Sequence, residues 1–237
     1  MPLGKRHAPF DHPDWFFELK YDGCRALAYV GREGAKLVSR RNVEYRAFED
    51  LASQLSLKLS ADDAVLDGEI VKLDKSGRPV FLDLMRGRGP FSFVAFDLLA
   101  VNGQDVRSLP LIERKRLLRE IVPERSRSIL FARHVAQRGR GLFAAACEQD
   151  LEGIVAKWKH APYNPEALPL SWFKVKNPKY SQARDRHGLV CLRAIADADV
   201  NGPGLRGWAE GPRAHEPSTL DRRASNVANR ERLRVSR

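Results

Sequence analysis

The chain has 237 residues, of which 43% are hydrophobic and 30% are charged, a composition typical of a globular protein with a buried core. No apolar run approaches the length of a membrane span, and the first residues lack the apolar stretch of a secretory signal. The formal net charge of +11 favours a polyanionic partner. The three cysteines of the chain have neither paired nor metal-ligand spacing, which argues against a disulfide scaffold and a zinc site.

Short strands joined by glycine turns are predicted at the start of the chain, over residues 15–20, 25–30 and 36–39. Apolar residues at helical spacing then predict an amphipathic helix over about residues 46–59. Alternation resumes over residues 64–73, where Asp67-Gly68 predicts a turn or bulge. Residues 92–99 are expected to form an apolar strand that leads to the Asn102-Gly103 turn.

The second half of the chain mixes helices and strands. Ser108 and Pro110 predict the start of one helix, residues 142–149 form a second, and residues 153–158 and 172–175 are predicted strands. Because the elements lack a regular parallel βαβ rhythm, we expect an α+β fold with antiparallel sheets and helices packed outside them.

The composition changes near residue 180, after which the chain has many arginines and no lysine. We therefore expect one folded domain over residues 1–185 and a largely disordered Arg-rich tail over residues 186–237. Such a tail is simply solvated, able to contact a polyanion, or the product of a shifted reading frame or degraded gene.

The segment Glu-Leu-Lys-Tyr-Asp-Gly-Cys-Arg at residues 18–25 places Lys20 between an apolar strand and a glycine turn. A lysine at the end of a buried strand is costly unless it has a function, and a desolvated neutral amine is a competent nucleophile. Lys20 is therefore a candidate for covalent catalysis. The alternative interpretation is a hairpin that carries a surface lysine.

The pattern Lys-x-Asp-Gly-x-Arg, which ends at Arg25, resembles the signature of nucleotidyltransferases that form a covalent lysine–nucleotide intermediate: DNA ligases, RNA ligases and capping enzymes. Five further segments resemble the other motifs of this group and follow in the same order, at residues 39–41, 66–70, 96–99, 152–157 and 172–176. The sequences of these segments are most similar to those of the adenylation domain of ATP-dependent DNA ligases. Within that family, it is most similar to the ligase module of bacterial end-joining ligases and their short stand-alone relatives.

The resemblance implies two mainly antiparallel sheets, flanked by helices, around a nucleotide cleft, in an ATP-grasp-like nucleotidyltransferase domain. We find no OB-fold pattern after the last motif. The implied function is that of an ATP-dependent DNA ligase, which forms lysine–AMP at Lys20, transfers AMP to a DNA 5′-phosphate and seals the nick with the 3′-hydroxyl. One alternative is a truncated relative that adenylates or binds DNA ends without efficient sealing. Another is an RNA ligase or a capping-type nucleotidyltransferase.

By the same resemblance, Lys20 is the catalytic nucleophile and Phe96 stacks on adenine. The residues expected to bind ATP or AMP are Glu18, Arg25, Arg40, Glu69, Phe96, Lys157, Lys174 and Lys176. Lys174 and Lys176 alternate along a predicted strand and share one face, so both can reach the same phosphate. Glu152 and Glu69 are the implied ligands of Mg²⁺ or Mn²⁺, cations that prefer hard oxygen donors.

The implied partners are nicked or broken double-stranded DNA and other end-joining or repair proteins. We also expect a monomer that contacts no membrane and lies in the bacterial cytoplasm, associated with the nucleoid.

Overall fold

The computed structural model describes residues 1–164 and 170–183. The predicted tail therefore lies outside the described residues. The strands are β1 Gly4–Lys5, β2 His12–Leu19, β3 Cys24–Gly31, β4 Gly34–Ser39, β5 Ala64–Val71, β6 Ser92–Val101, β7 Gln104–Asp105, β8 Ile129–Phe131, β9 His134–Gln137, β10 Gly153–Trp158 and β11 Trp172–Lys176. The α-helices are α1 Glu49–Lys58, α2 Phe81–Met85, α3 Leu111–Ile121 and α4 Gly139–Glu148, and two 3-10 helices cover Arg46–Phe48 and Ser181–Ala183.

The strands form two sheets. The first sheet has the order β1-β11-β10-β2-β9, and the second has the order β4-β3-β5-β6-β7, with β8 paired to β6. All pairs are antiparallel except β1 with β11 and β6 with β8, which are parallel. This arrangement confirms the predicted fold class of two mainly antiparallel sheets.

Each sheet has one face against a helix-covered core. In the first sheet, Phe17, Ile154 and Val175 pack with Ala146 of α4. In the second sheet, alternate residues such as Ala28 and Leu66 pack against α1. Because successive side chains of a strand point to opposite faces, the residues between these apolar positions lie on the other face of each sheet. Those faces border the cleft described below.

Helix α3 joins the two sheets through two buried cations. The guanidinium of Arg114 donates to both carboxylate oxygens of Asp97 in β6, at 2.7 and 2.8 Å, and to the carbonyl of Ala161 after β10, at 3.0 Å. The ammonium of Lys115 donates to Glu18 of β2 at 2.7 Å and to the carbonyl of Ala132 after β8 at 2.6 Å. One helix therefore contacts both walls of the cleft.

A second connection runs through the residues after β11. The Tyr180 hydroxyl donates to Asp22 at 2.9 Å, and Gln182 bonds both the carbonyl of Pro79 and the backbone N–H of Phe81. Asn177 donates from its side chain to the carbonyl of Leu151. The segment after the last strand thus ties the end of the first sheet to the turn that follows Lys20.

The structure differs from the sequence expectations mainly in its short elements. The helix expected over residues 46–59 begins as a 3-10 turn and becomes α-helical only at Glu49. Five short elements were not predicted, because two to five residues are too few for a periodic pattern: β1, α2, β7, β8 and β9. The predicted irregularity at Asp67-Gly68 is confirmed by a register shift between β5 and β6. Among the described residues, no helix is both long and apolar enough to cross a membrane.

We predict that Arg114→Leu lowers the free energy of unfolding by about 3 to 5 kcal/mol, because it leaves Asp97 as an uncompensated buried charge. The double variant Asp97→Leu/Arg114→Leu should regain much of that loss. Urea unfolding of the single and double variants measures both values. Arg116→Leu is the control, because the Arg116 side chain is 59% exposed. Equal effects of Arg114→Leu and Arg116→Leu would contradict the role given to the buried pair.

Candidate active site

A cleft opens between the two sheets, and six of the ten predicted site residues line it: Glu18, Lys20, Arg25, Glu69, Phe96 and Lys157. The first sheet contributes Glu18 and Lys157, and the second contributes Arg25, Glu69 and Phe96. Segments separated by more than a hundred residues thus meet in one place.

Lys20 follows the last residue of β2 and faces two other predicted residues. Its Nζ donates to Glu152 Oε2 at 2.7 Å, and the other oxygen of Glu152 lies 3.1 Å from Nζ of Lys176. The Glu152 side chain is 3% exposed, whereas that of Lys20 is 17% exposed. A buried carboxylate therefore holds two ammonium groups at the mouth of the cleft.

Two glycines allow this close approach. Gly23 packs against β5, where a Cβ atom would lie 2.1 Å from the carbonyl oxygen of Ile70. Gly153 has a φ of +136°, and a Cβ there would lie 2.1 Å from the carbonyl oxygen of Val175. Side chains at these positions would separate the turn after Lys20 from β5, and the start of β10 from β11.

The register of the first sheet orders the cleft from end to end. Trp172 of β11 lies opposite Lys157 of β10, the next inward-facing residue Lys174 lies opposite Val155, and Lys176 lies opposite Gly153. Since inward-facing residues recur at every second position, the three β11 side chains share one face. The aromatic end of the cleft is therefore at Trp172, and the cationic end is at Lys176 and Lys20.

Lys174 is half-buried between those two ends. Burial, together with the nearby ammonium groups of Lys176 and Lys20, lowers the pKa of Lys174. Arg40 lies just after β4 and is exposed. Four predicted residues are not among those that line the cleft: Arg40, Glu152, Lys174 and Lys176. The charge of Arg40 nevertheless contributes to the lowered pKa of Lys174.

Glu69 projects from β5 into the cleft, where burial raises the pKa of its carboxyl to about 7. Lys20 and Arg25 oppose that shift, whereas the carboxylates of Glu152 and Asp67 add to it. Among the described residues, no three His, Cys, Asp or Glu side chains come together in a way that could hold a metal ion by themselves. Glu69 and Glu152 fit a cation such as Mg²⁺, which takes one or two protein carboxylates and completes its shell with phosphate and water.

Arg25 is fixed by a partner that the motif did not indicate. Its Nε and Nη2 donate to the two carboxylate oxygens of Asp67, at 2.9 and 2.5 Å, and the Tyr163 hydroxyl donates to the same carboxylate at 2.9 Å. A two-pronged guanidinium–carboxylate pair of this kind is geometrically specific. Asp67 and Tyr163 therefore set the orientation of Arg25 at the cleft wall.

Glu18 is buried between two lysines. Its carboxylate oxygens lie 2.7 Å from Nζ of Lys115 and 2.6 Å from Nζ of Lys157, and all three side chains are at most 3% exposed. These cations lower the pKa of Glu18 against the effect of burial, whereas burial and Lys115 lower the pKa of Lys157 to about 8. Lys115 was missed, although its spacing from Leu111 and Leu118 puts it on the apolar face of α3.

Aromatic rings form the end of the cleft near Lys157. The rings of Phe96 and Trp172 meet edge to face with centroids 5.8 Å apart. Nζ of Lys157 lies 4.3 Å from the Phe96 centroid and 4.1 Å from the Trp172 centroid. Trp172 was not among the predicted site residues. The sequence contained a signal for it, because Trp172 lies two positions before Lys174 and therefore on the same strand face as the two lysines.

We predict that Glu69→Gln is more stable than the wild type at pH 8, and that this gain in the free energy of unfolding is much smaller at pH 5. The pKa of Glu69 is raised on folding, so its contribution to stability is present below about pH 4.5 and is lost as the pH rises through about 7. Glutamine removes that loss, which amounts to at most about 3 kcal/mol. Thermal unfolding in nucleotide-free buffer with EDTA measures the difference between variant and wild type at both pH values. A difference that does not change with pH would refute the prediction.

Comparison with known proteins identifies a family. Residues 6–176 match the family described as "ATP dependent DNA ligase domain". The chain is 31% identical over 169 residues to the multifunctional non-homologous end joining protein LigD of Pseudomonas aeruginosa, covering 69% of this chain and 20% of that protein. It is 29% identical over 189 residues to the SPbeta prophage-derived DNA ligase-like protein LigB of Bacillus subtilis, covering 77% of this chain and 68% of that protein.

Solved structures show the same fold. The mycobacterial DNA ligase D complexed with ATP and MES superposes with a TM-score of 0.61 at 29% identity, over 74% of this chain and 59% of that one. The ligase domain of LigD from M. tuberculosis gives a TM-score of 0.59 at 28% identity, over 74% of this chain and 60% of that one. The chain thus spans about a fifth of the LigD protein it matches, and less than two thirds of each of these solved chains.

Proposed function

The chain belongs to the family of ATP-dependent DNA ligase domains, and we propose that it adenylates itself at Lys20, transfers AMP to a DNA 5′-phosphate and seals the nick. The observation that carries this proposal is the position of the Lys20 amine, which lines the cleft and lies 2.7 Å from Glu152, with Lys176 paired to the same carboxylate at 3.1 Å and Lys174 on the same face of β11. A nucleophile surrounded by cations is suited to attack on a phosphorus atom whose oxygens carry negative charge.

In the first step, the Lys20 nitrogen forms a bond to the α-phosphorus of ATP, and the bond from that phosphorus to its bridging oxygen breaks. The lysine proton passes to solvent and pyrophosphate leaves with the electron pair. Lys174 and Lys176 lie on one face of β11 and would neutralise the α-phosphate oxygens. Phosphoryl-type transfer depends mostly on such positioning and charge neutralisation.

The aromatic end of the cleft suits the adenine base. Phe96 offers a ring face to a purine, and Trp172 and Lys157 enclose the same end. Arg25, held by Asp67, would contact ribose or phosphate oxygens, and Glu69 lies beside it. Arg40 would approach the phosphates from outside the cleft, because it is exposed and its charge acts on Lys174.

A divalent cation held by Glu69 and Glu152 would neutralise charge on the phosphate oxygens when bound. For the later steps, a net charge of +11 supports binding to a polyanion. The relatives LigD and LigB, whose names denote end joining and a DNA ligase-like protein, support nicked or broken duplex DNA as the substrate. End-joining proteins are accordingly the partners we propose.

We predict that α-labelled ATP with Mg²⁺ or Mn²⁺ transfers acid-labile label to the wild-type protein and none to Lys20→Ala. Bound AMP is first removed from the purified protein, so that occupied sites do not imitate inactivity. Lys75→Ala is the matched control, since Lys75 is an exposed lysine in the loop after β5. Labelled GTP tests the capping-type alternative and should give no label.

The labelled protein is then mixed with a nicked duplex. Transfer of the label to DNA, followed by joined strands, supports the complete proposal. Label without joining would instead identify a domain that adenylates without sealing. Absence of label in both the wild type and the Lys75→Ala control would overturn the proposed activity.

We also predict that Phe96→Leu raises the KM for ATP about tenfold with little change in kcat, because it removes stacking on the base while leaving the phosphate contacts intact. Phe96→Tyr keeps the ring and should behave like the wild type. Initial rates of adenylation over a range of ATP concentrations separate the two constants. An unchanged KM for Phe96→Leu would show that the ring does not bind the base.

A further inference from the structure

Lys5 lies on the cleft face of the first sheet. Strand β1 pairs in parallel with β11, with Gly4 opposite Phe173 and Lys5 opposite Lys174. A Cβ atom on Gly4 would lie 2.8 Å from carbon atoms of both Leu170 and Phe173, so Gly4 points to the side of the sheet that Phe173 occupies. Since neighbouring strand residues point to opposite faces, Lys5 is on the same face as Lys174.

The direction of the leaving group follows from the order of the strands. Lys20 follows β2, and Lys174 belongs to β11; these two strands flank β10 and are therefore about 10 Å apart. An α-phosphate held between Lys20 and Lys174 would lie over β10, where Gly153 contributes no side chain. In an in-line displacement, the leaving oxygen lies on the far side of the phosphorus from the attacking nitrogen. That side is the edge of the sheet formed by β11 and β1.

A cation is available at this edge. Lys176 is already paired with Glu152 at 3.1 Å. Lys5 is exposed, and within residues 1–164 and 170–183 the structure shows no ion pair for it. A triphosphate extending from Lys20 past β11 would reach the Lys5 ammonium next.

We propose that Lys5 binds the β- and γ-phosphates of ATP and the pyrophosphate that leaves. This inference rests on the proposed self-adenylation of Lys20. As the bond between the α-phosphorus and the bridging oxygen breaks, the electron pair and its charge pass to pyrophosphate, and Lys5 neutralises part of that charge. The lysine assists departure in the forward direction and binds incoming pyrophosphate in the reverse direction.

The test compares Lys5→Gln with Arg6→Gln, which removes the same charge from the adjacent position. Arg6 is a suitable control because its side chain lies over the Phe10 ring, 4.0 Å from the centroid, instead of beside Lys174. The binding arm measures the affinities for ATP and AMP by calorimetry in the Lys20→Ala background. The kinetic arms measure the rate of adenylation, the discharge of protein-bound AMP by pyrophosphate, and AMP transfer from pre-adenylated protein to nicked DNA.

We expect Lys5→Gln to weaken ATP binding and to slow adenylation and discharge about fivefold, the upper end of the effect of losing a solvent-exposed ion contact. AMP binding and AMP transfer to DNA should not change, because neither involves pyrophosphate, and Lys5→Arg should restore the wild-type values. The inference is overturned if Lys5→Gln matches Arg6→Gln within twofold for ATP, or if it weakens AMP binding equally. A wild-type protein that forms no lysine–AMP would overturn the proposed function, whereas the comparison of ATP with AMP binding still decides the role of Lys5.

Discussion

The separation of the two sheets depends on two neighbouring cations of α3. Arg114 and Lys115 each bond a carboxylate and a backbone carbonyl, and together these partners belong to both walls of the cleft. Buried charges are tolerated only when their hydrogen-bonding capacity is satisfied, so small displacements of either sheet would be costly. The helix thereby fixes the distance across which Lys20 and Glu69 face each other. Tyr180 and Gln182 add a second connection at the other end.

The two ends of the cleft differ in chemistry because the inward-facing residues of the first sheet change type along the strand. Along β11, the inward-facing positions change from Trp172 to Lys174 to Lys176, and their β10 neighbours change from Lys157 to Val155 to Gly153. One end is thus aromatic and dry, and the other is cationic and more exposed. A nucleotide has the matching arrangement, with a planar base for the aromatic end and an anionic phosphate chain for the cationic end. This correspondence connects the strand register with the proposed adenylation.

The features that depend on neighbouring residues in the sequence were predictable. The alternating lysines of β11, the irregularity at Asp67-Gly68 and the strand that ends just before Lys20 all follow from local patterns. Contacts over long separations did not: Lys115 pairs with Glu18 across 97 positions, and Tyr163 bonds Asp67 across 96. A charged residue on a helix is predicted to be solvent-exposed unless a buried partner is known. Lys5 was missed because a two-residue strand carries no periodicity.

The most direct test of the central claim is to locate the bound nucleotide on the protein. The chain is incubated with ATP and Mg²⁺, cleaved under conditions that preserve phosphoramidates, and analysed by tandem mass spectrometry. We predict that AMP is attached to Nζ of Lys20, in the peptide that contains residues 18–25. Attachment to Lys157, Lys174 or Lys176 instead would contradict the assignment of the nucleophile, and so would the absence of any adduct from protein that binds ATP.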